Sequence, residues 1–314
     1  FACIIASSFL KLHFGLRNIS FSNPKFAIAL ANEPQFFGHL NSCAITVMSS
    51  ILWGEAARLI KSSPLEAYML IDIHCHLEFP DFEKDLDSVI ERAGKAGVVA
   101  IITAGLNPET NRKALEIAGK YSIVKAALGI YPQYAAEMSD DDVEKEIAFI
   151  RKSKPFAISE VGLDATYPEM EKQKKVFEKM IALAKELNIP LIVHSRKAEK
   201  EACEMLISNN ARKVVIHCFN GKLSLAKEME AKGFFFSIPA IISHASQFKE
   251  LVKAVNSTHL LTETDAPFLP AVKGERNEPS AVKGIVDEIS GIKHVEAEEM
   301  AKIIFSNYQK LFMM

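Results

Sequence analysis

Two histidines stand one residue apart in the apolar run LIDIHCHL, residues 70–77. Side chains two positions apart in a β-strand point to the same face, so His74 and His76 present two imidazoles to one region of space. This spacing favours a divalent metal site over a pair of buried structural histidines. Asp72 precedes them on the same face, where a carboxylate can orient a ligand imidazole.

Further side chains that commonly bind metals lie near the ends of other apolar runs, namely Glu160, His194, His217 and Asp265. Burying such polar groups without partners would cost several kcal/mol each, whereas divalent cations would satisfy them together. Together with the first two histidines they predict a metal centre. By contrast, His259 at the start of its run and His294 in a charged segment are expected to be structural.

The elements that position these residues begin at residue 69, where short apolar runs alternate with charged segments of helical periodicity. A near-continuous apolar run is typical of a parallel strand that is covered on both faces. This alternation predicts an α/β fold, a single (β/α)₈ TIM barrel with active-site residues at the C-terminal ends of its strands. A doubly wound sheet is the alternative, but no glycine-rich phosphate loop follows the first run. The predicted strands are 70–76, 98–105, 123–130, 156–163, 190–195, 213–219, 234–240 and 259–265.

Composition excludes several classes of protein. A net charge of -2 over 314 residues is not the basic footprint of a protein that coats nucleic acid. The five cysteines are odd in number and scattered, which favours a reducing cytosol over a disulfide framework. No apolar run reaches the roughly 18 residues of a membrane-spanning helix. We therefore expect a cytoplasmic protein that does not enter membranes, and a monomer.

Residues 1–68 differ from the rest of the chain. They contain eight charged residues and no aspartate, whereas charge is dense from residue 69 onward. A transit peptide would also be poor in acidic residues, but this segment has only two arginines and no clear amphipathic helix. We interpret 1–68 as an N-terminal extension, disordered or non-native, with Met69 as the natural start of a single domain at 69–314.

An ordered set of motifs covers that domain and resembles one known family. The motifs are DIHCHLEF at 72–79, SEVGLD at 159–164, PLIVHSR at 190–196, HCFNG at 217–221, TETDAPFLP at 262–270 and RNEP at 276–279. They resemble the TatD-type metal-dependent deoxyribonucleases among the amidohydrolase-like barrels. The resemblance implies a (β/α)₈ barrel that holds one or two divalent metals and hydrolyses phosphodiester bonds of nucleic acid with a metal-activated water.

The resemblance also implies a role for each motif residue. The first metal would be held by His74, His76 and Asp265, the bridge between two metals would be Glu160, and the second metal would be held by His194 and His217. Glu160 and Asp265 are the expected catalytic residues, with Asp265 as general base because its carboxylate can accept a proton from water. The imidazoles favour Zn²⁺, while the carboxylates also admit Mg²⁺ or Mn²⁺.

Substrate contacts are expected from loops above the barrel. At GIYPQ, 129–133, a tyrosine stands where a histidine usually follows Gly-Ile in the family, which leaves the metal site intact but bears on substrate preference. Without a basic belt or an aromatic stacking ladder, a single-stranded or frayed 3′ end of DNA fits better than long duplex, so we expect a 3′–5′ exonuclease. The candidate substrate-binding residues are Tyr131, Arg196, Asn220, Lys222, Arg276 and Asn277.

Two other functions use the same residues. An amidohydrolase could cleave an ester, a lactone or an aminoacyl ester, and some TatD-type proteins are assigned D-aminoacyl-tRNA deacylation. A non-catalytic barrel could use metal only for stability, but a structural zinc site is usually closed by four ligands, and this chain offers more.

Overall fold

The computed structural model describes residues 69–313, and the predicted extension at 1–68 lies outside that range. One sheet of parallel strands runs through these residues, and each strand pairs with the next along the chain, in the order β1 to β8. This order and the helices between the strands confirm the predicted (β/α)₈ fold. The strands are β1 Leu70–Cys75, β2 Val98–Ala104, β3 Val124–Leu128, β4 Ala157–Gly162, β5 Leu191–His194, β6 Val214–Ile216, β7 Phe235–Ile238 and β8 Leu260–Thr262.

The helices follow the strands in alternation. They are α1 Leu86–Lys95, α2 Pro108–Lys120, α3 Pro132–Glu137, α4 Asp140–Ser153, α5 Met170–Leu187, α6 Glu199–Ser208, α7 Leu223–Ala231, α8 Ser246–Ala254, α9 Val282–Lys293 and α10 Ala297–Tyr308. In α5 the buried side chains of Val176, Phe177, Met180 and Ile181 recur at helical spacing and pack onto the barrel. Among residues 69–313, no helix is long and apolar enough to cross a lipid bilayer.

Local sequence fixes where the helices begin. Asn107 caps α2 by accepting the backbone N–H of Thr110 at 3.0 Å, and the Thr110 hydroxyl accepts the backbone N–H of Asn107 in return at 3.0 Å. Pro108 then occupies the first helical position, where its missing N–H is not needed. The capping box and Pro108 start α2 only a few residues after the end of β2. The loop between the two elements is therefore short.

Hydrogen bonds between the segment that follows β8 and the end of β1 close the barrel. The backbone N–H of Asp265 donates to the carbonyl of His74 at 2.9 Å, and the N–H of His76 donates to the carbonyl of Ala266 at 2.7 Å. Asp72 reinforces this seam, because its carboxylate accepts the N–H of Thr264 at 2.9 Å and the Thr264 hydroxyl at 2.6 Å. The closure brings the residues that follow β8 directly beside the end of β1.

Asp72 does not orient an imidazole, contrary to the expectation from sequence. Its carboxylate accepts the backbone N–H of His74 at 3.3 Å as well as the two Thr264 donors, and all these groups are buried. Burial raises the pKa of Asp72 to about 8. The Asp72 carboxylate is therefore occupied by Thr264 and by the main chain of His74, and no imidazole bonds to it. Its role is to fix the backbone beside the first predicted ligand.

Several predicted strands are longer than the observed ones. The run at 213–219 contains only Val214–Ile216 as strand, and the run at 259–265 contains only Leu260–Thr262. His217 and Asp265 therefore lie in loops just beyond the strand ends. The backbone is left-handed at Asp265, with φ 56°, and at Cys218, with φ 48°. Such conformations of non-glycine residues concentrate at functional sites, and here they redirect the chain where the ligands stand.

Candidate metal centre

The barrel brings together all six residues that the sequence predicted as metal ligands. They come from the C-terminal ends of different strands: His74 lies in β1, His76 directly after it, Glu160 in β4, His194 at the end of β5, His217 directly after β6, and Asp265 in the loop after β8. This is the end at which barrel enzymes build their active sites. Sequence positions almost 200 residues apart (from 74 to 265) thus meet in one place because the barrel closes.

Glu160 stands at the middle of the cluster and faces a different pair of imidazoles with each carboxylate oxygen. Its Oε2 lies 3.5 Å from His74 Nε2 and 3.2 Å from His76 Nε2. Its Oε1 lies 3.2 Å from His194 Nδ1 and 3.5 Å from His217 Nε2. The carboxylate therefore divides the four imidazoles into two pairs and is shared by both.

Asp265 completes the group on the His74 side. Its Oδ1 lies 3.5 Å from His74 Nε2 and 3.4 Å from His76 Nε2. These two nitrogens, Asp265 Oδ1 and Glu160 Oε2 form a set of four donor atoms. On the other side, His194 Nδ1 and His217 Nε2 lie 3.3 Å apart and share Glu160 Oε1. The cluster thus consists of a four-donor group and a three-donor group.

The donor set fits divalent cations. Within residues 69–313, the buried Nε2 of His74 forms no hydrogen bond, which is rare for a buried polar atom unless it serves another partner. Ligand atoms about 2.0–2.1 Å from a tetrahedral Zn²⁺ lie roughly 3.3 Å from one another. The donor separations of 3.2 to 3.5 Å match that spacing. Imidazole and carboxylate donors also suit Zn²⁺, and the three-donor group leaves a position open for a water or a substrate.

The charge of the site is set by Glu160 and its histidines. Burial raises the pKa of Glu160, but the four surrounding imidazoles outweigh it and hold the pKa well below its ordinary value. Burial lowers the pKa of His76, yet the carboxylates of Asp265 and Glu160 raise it well above its ordinary value. Glu160 is therefore an anion at the centre of the cluster, and it supplies the negative charge that a pair of cations needs.

Carboxylates behind the ligands orient their rings, and sequence reasoning missed them. His76 Nδ1 lies 3.1 Å from Glu78 Oε1 and 2.9 Å from the carbonyl oxygen of Ala104. Glu78 Oε2 accepts the Thr103 hydroxyl at 2.6 Å, so the carboxylate is itself fixed. A partner of this kind holds a ligand imidazole in one tautomer and one orientation.

The other pair of imidazoles is supported in the same way. His194 Nε2 lies 3.0 Å from Asp164 Oδ2, and the Tyr131 hydroxyl donates to that same oxygen at 3.1 Å. His217 Nδ1 lies 3.3 Å from Glu263 Oε2, which also accepts the Ser237 hydroxyl at 2.7 Å. The only sequence signal for these carboxylates was their position within four residues of a ligand, inside the motifs DIHCHLEF, SEVGLD and TETDAPFLP.

The predicted substrate-binding residues divide into two groups. Arg196, Asn220 and Lys222 are exposed in the loops that follow β5 and β6, at the mouth of the barrel. The remaining three are engaged within the protein. The half-buried Tyr131 donates to Asp164, and burial raises its pKa above the ordinary value.

The other two engaged residues hold the loop after β8. Arg276 pairs with Asp85 through two bonds of 2.8 and 2.7 Å, and its guanidinium lies over the Phe82 ring at 4.8 Å. The buried amide of Asn277 donates to the carbonyls of Thr264 at 2.7 Å and Phe268 at 2.8 Å. The Asn277 amide is buried, whereas Arg276 is exposed beside its ion pair, and the contact of either residue with a substrate stays a prediction.

A parallel barrel with a carboxylate-centred cluster of imidazoles at the C-terminal ends of its strands defines a metal-dependent hydrolase of the amidohydrolase-like type. The profile of the family described as TatD related DNase matches residues 71–313. The chain belongs to this family, which confirms the resemblance and the prediction of an enzyme.

Individual relatives agree over the same region. The chain is 37% identical over 258 residues to the human deoxyribonuclease TATDN3, across 77% of this chain and 94% of that protein. It is 30% identical over 257 residues to the 3′-5′ ssDNA/RNA exonuclease TatD of Erwinia tasmaniensis, across 77% of this chain and 99% of that protein. Among solved structures, the TatD homologue YjjV of Escherichia coli superposes with a TM-score of 0.74 at 28% identity, across 79% of this chain and 99% of that one.

Proposed function

We propose that this chain is a metal-dependent deoxyribonuclease that removes nucleotides in the 3′–5′ direction from single-stranded or frayed DNA. The observation that carries the proposal is the division of four imidazoles between the two oxygens of Glu160. The human relative is named a deoxyribonuclease, and the Erwinia relative is named a 3′-5′ single-strand exonuclease. Those names support the substrate and the direction.

The two donor groups give each cation its own set of residues. His74, His76 and Asp265 would hold one ion, His194 and His217 would hold the other, and Glu160 would bridge them. When bound, two cations lower the pKa of a water molecule and neutralise the charge that develops on the attacking and leaving oxygens of a phosphodiester. Zn²⁺ is the ion that the four imidazoles favour, and Mg²⁺ or Mn²⁺ is compatible with the carboxylates.

Asp265 is the residue that we propose as general base. Its side chain is 14% exposed against 7% for Glu160, so it is the more accessible carboxylate of the cluster. The left-handed backbone at this residue and the bond from its N–H to His74 hold it at the seam between β8 and β1. From there its carboxylate accepts a proton from the attacking water and returns it to the leaving oxygen.

Residues at the mouth would hold the phosphodiester chain. Arg196 follows the ligand His194 by two residues and is exposed, so its guanidinium can bind a phosphate through two parallel hydrogen bonds. Asn220 and Lys222 stand at the equivalent place after β6. A site at the end of a barrel admits a chain end more readily than the middle of a duplex, which supports an exonuclease.

The proposal is tested with the full chain, stripped by a chelator and reloaded with Zn²⁺, Mg²⁺ or Mn²⁺. Single-stranded DNA labelled at one end or the other reports direction: we expect early release of a 3′-terminal label and gradual shortening of strands labelled at the 5′ end. Early release of the 5′ label would contradict the direction. Hydrolysis of D-aminoacyl-tRNA without any nucleotide release would select the aminoacyl-ester alternative.

A variant adds a test of the phosphate contact. We expect Arg196→Ala to raise KM for the oligonucleotide by roughly tenfold, since a charge-assisted contact is lost. Arg212→Ala is the matched control, because Arg212 is also exposed but lies just before β6, at the opposite end of the barrel. Equal effects of the two substitutions would contradict a role for Arg196 at the site.

A further inference from the structure

An aromatic cluster lies against one ligand of the metal centre. The Phe79 ring stacks on the His76 ring, with centroids 5.0 Å apart and an interplanar angle of 25°. The Phe268 ring meets Phe79 edge-on at 5.7 Å, and its centroid is 6.2 Å from that of His76. The rings of Phe79 and Phe268 therefore form an apolar surface directly beside His76, one of the residues that would hold the first cation.

Phe268 leaves much of this surface open. Its exposed fraction is 49%, whereas Phe82, Phe177, Phe219 and Phe236 are fully buried. The residue stands three positions after Asp265 in the loop that follows β8. An exposed aromatic ring at the mouth of a polar site is ready to bury its face against a flat ligand.

The loop holds this ring in place. The Phe268 N–H donates to the carbonyl of Asp265 at 2.9 Å, and its carbonyl accepts the Asn277 amide at 2.8 Å. The Asn277 N–H also donates to the carbonyl of Pro267 at 3.1 Å. Both peptide groups of Phe268 are thus fixed, and the contact with Phe79 positions the ring, so stacking of a ligand costs little conformational freedom.

We infer that Phe268, supported by Phe79, is a stacking platform for the nucleobase next to the phosphodiester in the metal centre. This inference rests on the proposed function and names how the substrate is selected. Base–aromatic stacking tolerates every base because each has a π-face, and it requires a base that is free of its own duplex neighbours. A single platform beside the centre therefore selects an unpaired base at a chain end, without sequence preference.

The test measures stacking separately from hydrolysis. The metal-loaded full chain is mixed with a single-stranded oligonucleotide that carries 2-aminopurine at its 3′ end and phosphorothioate linkages that slow cleavage. We expect stacking to quench 2-aminopurine fluorescence with the wild type and with Phe268→Tyr, which keeps the ring. Phe268→Leu keeps apolar bulk without a flat face, and we expect it to lose the quenching, as Phe268→Ala does.

Kinetics give the second readout. We expect Phe268→Ala to raise KM for unmodified single-stranded DNA by roughly tenfold, and to have no further effect when the terminal nucleotide is abasic. Val99→Ala is the matched control, since Val99 is an apolar side chain 41% exposed near the start of β2, at the other end of the barrel. It should change neither readout.

The outcomes separate this inference from the proposed function. Quenching that depends on Phe268, without nucleotide release by the wild type, would support the platform and refute the nuclease. Normal release and unchanged KM in Phe268→Ala would refute the platform and leave the nuclease standing. A change in sedimentation of Phe268→Ala with both readouts intact would show that the ring contacts a second copy of the chain, and would also overturn the inference.

Discussion

Glu160 organises the site because a single carboxylate is shared by two groups of donors. Each of its oxygens faces two imidazole nitrogens at 3.2 to 3.5 Å, and four rings hold the pKa of the group well below its ordinary value. Three other carboxylates bond to the outer nitrogens of the ligand imidazoles, and they hold the rings in place instead of facing the predicted cations. Glu78 serves His76, Asp164 serves His194, and Glu263 serves His217.

These supporting carboxylates predict selective losses of metal affinity. We expect Asp164→Asn to weaken binding at the His194 side by about 10- to 100-fold, because the His194 ring loses its charged partner. Tyr131→Phe should shift the same affinity less and in the same direction, since the Tyr131 hydroxyl only steadies Asp164. Competition with a chromophoric chelator measures both.

A matched pair separates the two sides of the site. Glu78→Gln should weaken the His76 side and leave the His194 side unchanged, while Asp87→Asn, an exposed aspartate bonded to Tyr121, should change neither. Identical binding curves for Asp164→Asn and Glu78→Gln would contradict the assignment of one carboxylate to each side.

At the scale of elements, the site depends on how closely adjacent strands approach. Gly162, at the end of β4, has φ 143°, a conformation that side chains rarely adopt. A Cβ at this residue would come within 1.9 Å of the His194 carbonyl oxygen on β5. The missing side chain therefore lets Glu160 and His194, on neighbouring strands, reach the same cluster.

Two glycine substitutions test this approach. We expect Gly162→Ala to destabilise the fold by at least about 3 kcal/mol, since both the backbone conformation and the contact with β5 are unfavourable. Gly284→Ala, inside α9 where a Cβ meets nothing within 4 Å, should instead stabilise by roughly 0.5–1 kcal/mol. Chemical unfolding measures both, and a Gly162→Ala variant as stable as Gly284→Ala would contradict the packing described.

An ion pair between α1 and the loop before α9 gives a dependence on pH. Arg92 donates to both oxygens of Glu278, with its closest contact at 2.6 Å. Burial raises the pKa of Glu278, but the bonds from Arg92 and Ser280 outweigh it and lower the pKa below 4.5. A lowered pKa in the folded state means that the pair stabilises above that value and is lost as the pH falls.

We therefore expect Glu278→Gln to reduce the free energy of unfolding by about 1 kcal/mol at neutral pH, a value kept small because the Arg92 side chain is 45% exposed to screening water. The difference from wild type should be smaller at an acidic pH below the ordinary glutamate pKa of 4.5 than at neutral pH, because protonation of Glu278 removes the charge that Arg92 binds. Urea unfolding at the two pH values measures it. Glu250→Gln, in an exposed pair with Lys253, is the control with little effect, and a constant difference at both pH values would contradict the ion-pair account.

At the scale of the whole molecule, the predicted metal centre also links strands of the barrel to one another. Its ligands come from β1, β4, β5, β6 and the segment after β8, so cations would tie together strands that are distant in the sequence. A ligand that binds only the folded chain stabilises it by about 2.7 kcal/mol at 100 times its dissociation constant. For a domain of this size, one kcal/mol shifts Tm by roughly 2–4 °C.

Removal of metal should therefore lower Tm by about 5–10 °C, and reloading should restore it. His294→Gln is the matched control, because His294 lies after α9, outside the cluster, and its variant should show the same metal-dependent shift as wild type. Calorimetry with and without chelator measures the effect. An unchanged Tm in the wild type would contradict a cation held by these strands.

The sequence predicts the barrel and all six clustered residues because histidines and acids are conspicuous at the ends of apolar runs. It does not reveal the partners of ordinary loop residues, since those lie far away in the chain. Asn277 and Arg276 are predicted substrate contacts, and nothing in the sequence indicates that they also bond to Thr264 and Asp85. The sequence also gives no sign that Phe268 is exposed, because exposure depends on which segments fold over a ring.

The most direct test of the account is a metal titration of the stripped full chain that records bound metal and nucleotide release from single-stranded DNA together. We expect release to appear only with bound metal and to saturate at about two ions per chain. Asp265→Asn should still bind metal through its neighbours but release nucleotides at least about 100-fold more slowly. Release that persists in excess chelator, or an Asp265→Asn variant as active as wild type, would contradict the account.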